Sequence, residues 1–135
     1  MISRFIEAQA PVYSSVVEEL STGLKETHWS WFIFPQIAGL GNSDIAKHYA
    51  IKDIDEAIEY LNTPILLDRL TECLNLLLQH NKDIEDILGF PDNLKLKSSM
   101  TLFMIADPSN IIFKQVLDKF FDGDIDTKTL NLLGC

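Results

Sequence analysis

The sequence predicts an all-α fold, a compact multihelical single domain with about seven helices and short connections. Apolar residues recur every three or four positions through most of the chain, which is the spacing of one helix face. Prolines, glycines and capping residues stand at the ends of these segments. No convincing period-two alternation, as in a half-buried strand, is present. We therefore expect one helical domain over residues 1–135, a length typical of a single domain.

Residues that can begin a helix recur in the N-terminal half. The predicted first residues or caps are Ser3, Pro11, Ser43 and Asp53. Gly23 is a stop signal for the second helix, because glycine readily adopts the left-handed conformation that ends helices. Glu56 follows Asp53 at the spacing of a capping box, which predicts a helix through Leu61. The aromatic run 31–34 fits either a short strand or a helical turn.

The clearest amphipathic helix begins at Thr63-Pro64 and extends to about His80. Its apolar positions are Leu66, Leu67, Leu70, Cys73, Leu74, Leu77 and Leu78. We expect it to be the most buried helix. A short helix over 83–88, a long one from Pro91 to about Ala106, one that Gly123 stops and a last one that Asp126 caps complete the prediction.

The charge of the chain argues against two classes of partner. Eleven Lys and Arg stand against twenty Asp and Glu, a formal net charge of -9. A field of this sign repels nucleic acid and anionic membrane surfaces, so we predict neither as a partner. The longest apolar runs are far shorter than the roughly 20 residues that span a bilayer.

Metal and disulfide chemistry is also poorly supported. Cys73 and Cys135 form neither a disulfide framework nor a metal motif, which favours a reducing, cytoplasmic location. The three histidines, His28, His48 and His80, lie far apart, and none is paired at three or four residues with another His, Cys or carboxylate in a recognisable metal site. We predict no metal site and no cofactor.

Residues 25–41 carry an unusual concentration of ligand-binding side chains. The candidates are His28, Trp29, Trp31, Phe34, Gln36, Gly39 and Gly41. Aromatic faces can stack on a ligand, a glutamine amide both donates and accepts, and glycines let main-chain amides approach an anion. The structural alternative is that the aromatics belong to the core and the glycines to turns.

A second group of candidates lies in residues 92–103. Lys97 and Thr101 share a helix face at four-residue spacing, and Ser98 lies one position round. A lysine among hydroxyls can hold a phosphate or carboxylate, or activate a serine nucleophile. An exposed lysine beside hydroxyls that bond to their own backbone is the alternative. Tyr49 is a further candidate for the lining of a pocket.

Four sequence blocks resemble a known family. They are residues 28–36, Gly39-Leu40-Gly41, Tyr49-Ala50-Ile51 and residues 92–103. These blocks are similar to the hallmarks of the uncharacterised bacterial and plant family called domain of unknown function 1810, sometimes labelled calpastatin. The resemblance extends from Arg4-Phe5 to Thr129-Leu130. It implies a compact multihelical fold and no established reaction.

The functional hypothesis joins the two groups of candidates. We expect the aromatic segment to meet the Lys97 region across a pocket that binds, and in one version hydrolyses, a small anionic metabolite resembling a nucleotide or ADP-ribose. His28, one tryptophan and Gln36 would then lie within reach of the 97–101 segment. The alternative is a noncatalytic module whose exposed aromatics dock a protein partner. The burial of the aromatic rings distinguishes these hypotheses. Rings that line a concave cavity favour a ligand, a flat exposed patch favours a protein partner, and a sealed core favours neither.

Overall fold

The computed structural model describes residues 2–135, which form ten helices and no strand. The helices are α1 (Ser3–Gln9), α2 (Tyr13–Thr22), α3 (Ser30–Ile33), α4 (Asp44–His48), α5 (Ile54–Leu61), α6 (Pro64–Leu78), α7 (Ile84–Leu88), α8 (Asp92–Ala106), α9 (Ile112–Phe121) and α10 (Thr127–Leu133). The predicted all-α class is confirmed. About seven helices were expected; three of the ten, α3, α4 and α7, have only four or five residues.

Most of the predicted helix ends are confirmed. Ser43, Asp53 and Asp126 each accept a hydrogen bond from the backbone amide three residues later. Gly23 ends α2 with a φ of 80°. Ser3, in contrast, is the first residue of α1 and makes no capping bond. The Thr63 hydroxyl bonds to a backbone oxygen of α5 instead of capping α6.

Among residues 2–135, α6 and α8 contribute more buried residues than any other helix. The predicted stripe of α6 is buried at Leu66, Leu70, Cys73, Leu74 and Leu77. The expectation that α6 is the most buried helix is wrong, because eight residues of α8 are buried against five of α6. Helix α8 contacts α3, α5, α7, α9 and α10, so it is covered on nearly every side. Burial raises the pKa of the Cys73 thiol to about 12, which makes this cysteine unreactive.

Arg4 fixes the end of α4. Its guanidinium donates to the backbone oxygens of His48 at 2.9 Å and Ala50 at 2.7 Å, and it pairs with Glu56 at 2.9 Å. Burial would raise the pKa of Glu56, but the bond from Arg4 and the backbone amide of Lys52 lower it to about 2. Glu56 therefore links α1, α4 and α5 instead of closing the capping box on Asp53.

The aromatic segment forms a helical turn followed by an extended connection. The turn is α3, which settles the choice between strand and helix for residues 31–34. Beyond it, the Gln36 carbonyl accepts from the Ile51 amide, and the Ala38 amide donates to the Ile51 carbonyl, both at 2.8 Å. These bonds hold residues 36–38 beside the segment that precedes α5. In residues 2–135, no helix is long and apolar enough to cross a membrane.

Candidate functional site

A surface cleft lies between the aromatic segment and the first turns of α8. A ridge of Trp31, Pro91 and Lys95 divides it into two hollows. One hollow of about 260 Å³, here called the charged lobe, is also lined by Lys25, His28, Ser30 and Asp92. The other, of about 390 Å³, is called the neutral lobe and is also lined by Gln36, Gly41, Asn42, Ser43 and Leu94. The two parts of the chain singled out by sequence therefore meet at one cleft.

The ridge consists of a lysine lying over a tryptophan ring. The ammonium of Lys95 lies 4.5 Å from the ring centroid of Trp31. An ammonium at this distance is attracted to the negative face of the ring. Trp31 is only partly buried, so part of its surface remains available to a molecule in either hollow.

Three ionised side chains line the charged lobe. The carboxylate of Asp92 accepts from Lys25 at 2.8 Å through one oxygen and from Lys95 at 3.1 Å through the other. Burial would raise the pKa of Asp92, but the two lysines outweigh it and the pKa is lowered. Two ammonium groups and one carboxylate leave a single positive charge at this place, on a chain whose net charge is -9.

A buried hydroxyl of the charged lobe lacks a partner. Ser30 is 1% exposed, and its Oγ has no hydrogen-bond partner among residues 2–135. Buried polar atoms nearly always have a partner, from the protein, from water or from a ligand. Because Ser30 lines the charged lobe, this hydroxyl is a candidate donor to a bound anion.

The neutral lobe contains an amide with a fixed orientation. Gln36 Nε2 donates to the hydroxyl of Ser98 at 2.6 Å. That hydroxyl lies 3.1 Å from the backbone oxygen of Lys95, to which it donates. Gln36 and Ser98, which are 62 residues apart in the sequence, are thus brought into contact. The contact links the aromatic segment to the face of α8 that lines the cleft.

A single carboxylate of α2 positions the loop that carries His28. Glu19 accepts hydrogen bonds from the amides of Glu26 and Thr27 at 2.7 and 2.9 Å, from the Thr27 hydroxyl at 2.6 Å and from Trp29 Nε1 at 3.1 Å. Burial would raise its pKa, but these donors lower it. Sequence reasoning missed Glu19. The available signal was an acidic residue three positions after Val16, on the apolar face of α2.

Trp29 and Phe34 belong to the hydrophobic core. Trp29 is 1% exposed and Phe34 is fully buried, with ring centroids 5.9 Å apart in an edge-to-face arrangement. Trp29 lines the charged lobe although it is almost fully buried, and its indole nitrogen donates to Glu19. For these two rings the structure favours the core interpretation, and Trp31 is the tryptophan with an open surface.

Two candidates on α8 lie away from the cleft. Lys97 directs its ammonium toward Phe121, 6.0 Å from the ring centroid. Thr101 is fully buried, donates to the Lys97 carbonyl at 2.9 Å and accepts from the Asp126 amide at 3.0 Å. Thr101 thereby holds the start of α10. The expectation that these two side chains face the aromatic segment is corrected.

Lys95 takes the position that the sequence analysis assigned to Lys97. Residues two positions apart on an α-helix, such as Lys95 and Lys97, lie about 200° apart around the axis and so on nearly opposite faces. Residues three positions apart lie on the same face. Lys95 and Ser98 are three residues apart. Lys95 lines the cleft, and Ser98 bonds to Gln36, which also lines it. The spacing from Ser98 was the signal that could have identified Lys95. It could not be used without knowing how α8 is rotated.

The remaining candidates differ in position. Gly41 lines the neutral lobe, where an added Cβ would lie 2.5 Å from that of Ala46, so only glycine allows this approach to α4. Gly39, with a φ of 107°, lies against Leu132 instead of lining a hollow of the cleft. Tyr49 packs on Phe32 at 5.2 Å and borders a hollow of about 10 Å³ behind Gln36, enough for one water.

No metal centre is formed within the part of the chain that the structure describes. No group of three His, Cys, Asp or Glu side chains there has the arrangement to hold a metal ion. The ionisable groups of the cleft form ion pairs or face solvent instead.

Comparisons with known proteins agree with this fold. Residues 1–133 match the family model described as a protein of unknown function, DUF1810, and the chain belongs to this family. The crystal structure of the conserved hypothetical protein Rv1873 from Mycobacterium tuberculosis is 49% identical in sequence. Its TM-score is 0.97, over 99% of this chain and 96% of that one. No curated protein matches significantly.

Proposed function

We propose that the cleft binds a small anionic metabolite of the nucleotide or ADP-ribose type. The main observation is the charged lobe, where two lysines share one carboxylate and a buried hydroxyl has no partner among residues 2–135. On a chain with a net negative charge, two cations held close together indicate a role for positive charge at that place. Buried ion pairs alone contribute little stability, so a binding role explains this arrangement better than a structural one.

The aromatic ridge supports a ligand with a ring or sugar. Trp31 offers an open surface between the two lobes, and indole surfaces stack on bases and on the apolar faces of sugars. The neutral lobe, of about 390 Å³, lies at the smaller end of the range of ligand pockets, which is about 300 to 1,000 Å³, and the charged lobe, of about 260 Å³, lies just below it. His28, Gln36 and Gly41 complete this site as contributors from the aromatic segment.

Hydrolysis of a glycosidic or phosphoester bond in the cleft would depend on His28. A general base must be able to take a proton near neutral pH. Asp92 is a weak base there, because two lysines hold it as a carboxylate. His28 is exposed at the edge of the charged lobe, and a neutral imidazole carries a ring nitrogen that can accept a proton.

A noncatalytic docking surface is the second candidate function. Phe90 is 70% exposed and Leu94 is 47% exposed, and the two residues border the charged and the neutral lobe respectively. Exposed apolar side chains at the rim of a groove are typical of surfaces that contact another protein. This candidate requires no small ligand, so a binding titration separates it from the first.

The two lysines of α8 provide a matched test of the ligand proposal. Calorimetric titration with ADP-ribose should show that Lys95→Ala weakens binding about tenfold or more, because it removes a charge-assisted contact. Lys97→Ala removes the same charge from the same helix outside the cleft and should change the dissociation constant by less than about threefold.

Equal losses of affinity in both variants would show that only the overall positive charge of α8 matters. That result would reject the cleft as the binding site. Absence of binding by the wild-type protein to ADP-ribose, AMP and ribose 5-phosphate at millimolar concentration would reject the ligand proposal. In that case the exposed rim of Phe90 and Leu94 remains as the functional surface.

A further inference from the structure

We propose that the cleft accepts its ligand in one orientation, with the anionic group in the charged lobe and a neutral hydrogen-bonding ring in the neutral lobe. This inference rests on the proposed function and adds the division of the ligand between the lobes. It also assigns Lys95 to the junction, because Lys95 lines both hollows.

The charged lobe suits an anion and little else. Lys25, Asp92 and Lys95 leave one net positive charge, and the Lys25 side chain is only 5% exposed. Ser30 lines the same lobe, and its buried hydroxyl has no partner among residues 2–135, so a bound anion would give it one. An anion here would gain a charge-assisted hydrogen bond in a partly desolvated place. A neutral ring would leave both the excess charge and the hydroxyl unused.

The neutral lobe has the opposite character. Apart from Lys95 on the ridge, the described residues that line it include no ionisable side chain. It offers the amides of Gln36 and Asn42 and the apolar side chain of Leu94, which is 47% exposed. Planar amides recognise the edges of bases and the hydroxyls of sugars, whereas apolar surface covers a ring face. An anionic group placed here would meet no compensating charge except Lys95.

Both lobes are preorganised by contacts inside the protein. The bond from Gln36 to Ser98 fixes one amide of the neutral lobe. Asp92 fixes both lysines of the charged lobe, and Glu19 fixes the loop before Ser30. Rotation of side chains alone cannot move the charged groups from one lobe to the other. The fold therefore determines the orientation of the ligand.

The test compares a whole ligand with its two parts in two variants. The probes are AMP, adenosine as the neutral part and ribose 5-phosphate as the charged part, each titrated into isotope-labelled protein by NMR. Ser30→Ala alters the charged lobe and Asn42→Ala the neutral lobe. Asn42 is exposed, and Ser30 Oγ lacks a partner among the described residues, so both variants should fold.

Ser30→Ala should weaken AMP and ribose 5-phosphate about threefold to tenfold, the effect of one hydrogen bond, and leave adenosine unchanged. Asn42→Ala should weaken AMP and adenosine by a similar factor and leave ribose 5-phosphate unchanged. Equal effects of either variant on both parts would overturn the orientation while leaving the binding proposal intact. If none of the three probes binds the wild-type protein, the proposed function itself fails and this inference fails with it.

Discussion

At the scale of single residues, the loop before α3 depends on one carboxylate. Glu19 gathers four donors from Glu26, Thr27 and Trp29, and this is what places the Trp29 ring in the core. A carboxylate that accepts several hydrogen bonds is strongly favoured in its ionised form. Removal of its charge should therefore loosen the whole loop that carries Lys25 and His28 to the cleft.

Glu19→Gln should lower the free energy of unfolding by about 2 to 4 kcal/mol at pH 7, because the amide nitrogen cannot accept the bonds that a carboxylate oxygen accepts. Since the folded pKa of Glu19 lies below its unfolded value, its contribution is complete above that unfolded value. It disappears as pH falls through the folded value. Urea unfolding at pH 7 and in acid should show the difference between variant and wild type shrinking in acid. A difference that does not change with pH would contradict this role for Glu19.

The choice between Lys95 and Lys97 shows what residue chemistry alone leaves undetermined. Both lysines are in the same turns of α8, and either could have met the aromatic segment. The deciding quantity is the rotation of α8 about its axis, which is set by packing against other helices. The Lys97 side is turned toward Phe121, and the Lys95 side faces Trp31.

At the scale of helices, the sequence pattern predicted which face is buried only where a helix buries a single face. Helix α6 has one buried face, so its apolar stripe could be read directly. Helix α8 is covered on nearly all sides and buries Ser98, Ser99 and Thr101 together with apolar residues. This mixture hides the helical period, which is why the central position of α8 and its cleft-facing side could not be predicted.

The buried stripe of α6 carries a stability prediction. Leu74 is fully buried, and Leu74→Ala should reduce the free energy of unfolding by about 2 to 5 kcal/mol through lost burial and the cavity left behind. The neighbouring exposed residue gives a control, since Asn75→Ala should change stability by less than about 0.5 kcal/mol. Chemical denaturation measures both values. A loss below about 1 kcal/mol for Leu74→Ala would mean that this face does not support the core.

At the scale of the whole molecule, the cleft is a local exception to the charge of the chain. The net charge of -9 predicts repulsion of polyanions, and this average could not reveal that Lys25 and Lys95 converge on Asp92. These residues are up to 70 positions apart, so only the fold brings them together. Ser98 and Gln36 could be named from residue type, whereas the lysine pair and Ser30 required tertiary structure.

The two tryptophans give the most direct measurement of the central claim that the cleft beside Trp31 is a ligand site. A proton–nitrogen correlation spectrum of the labelled protein contains one indole signal from each, assigned with Trp31→Phe. On titration with ADP-ribose, the Trp31 signal should shift progressively to saturation. The Trp29 signal should stay nearly fixed, since its indole nitrogen donates to Glu19 in a residue that is 1% exposed. A Trp31 signal that does not move at millimolar ligand, or a shift confined to Trp29, would contradict the account.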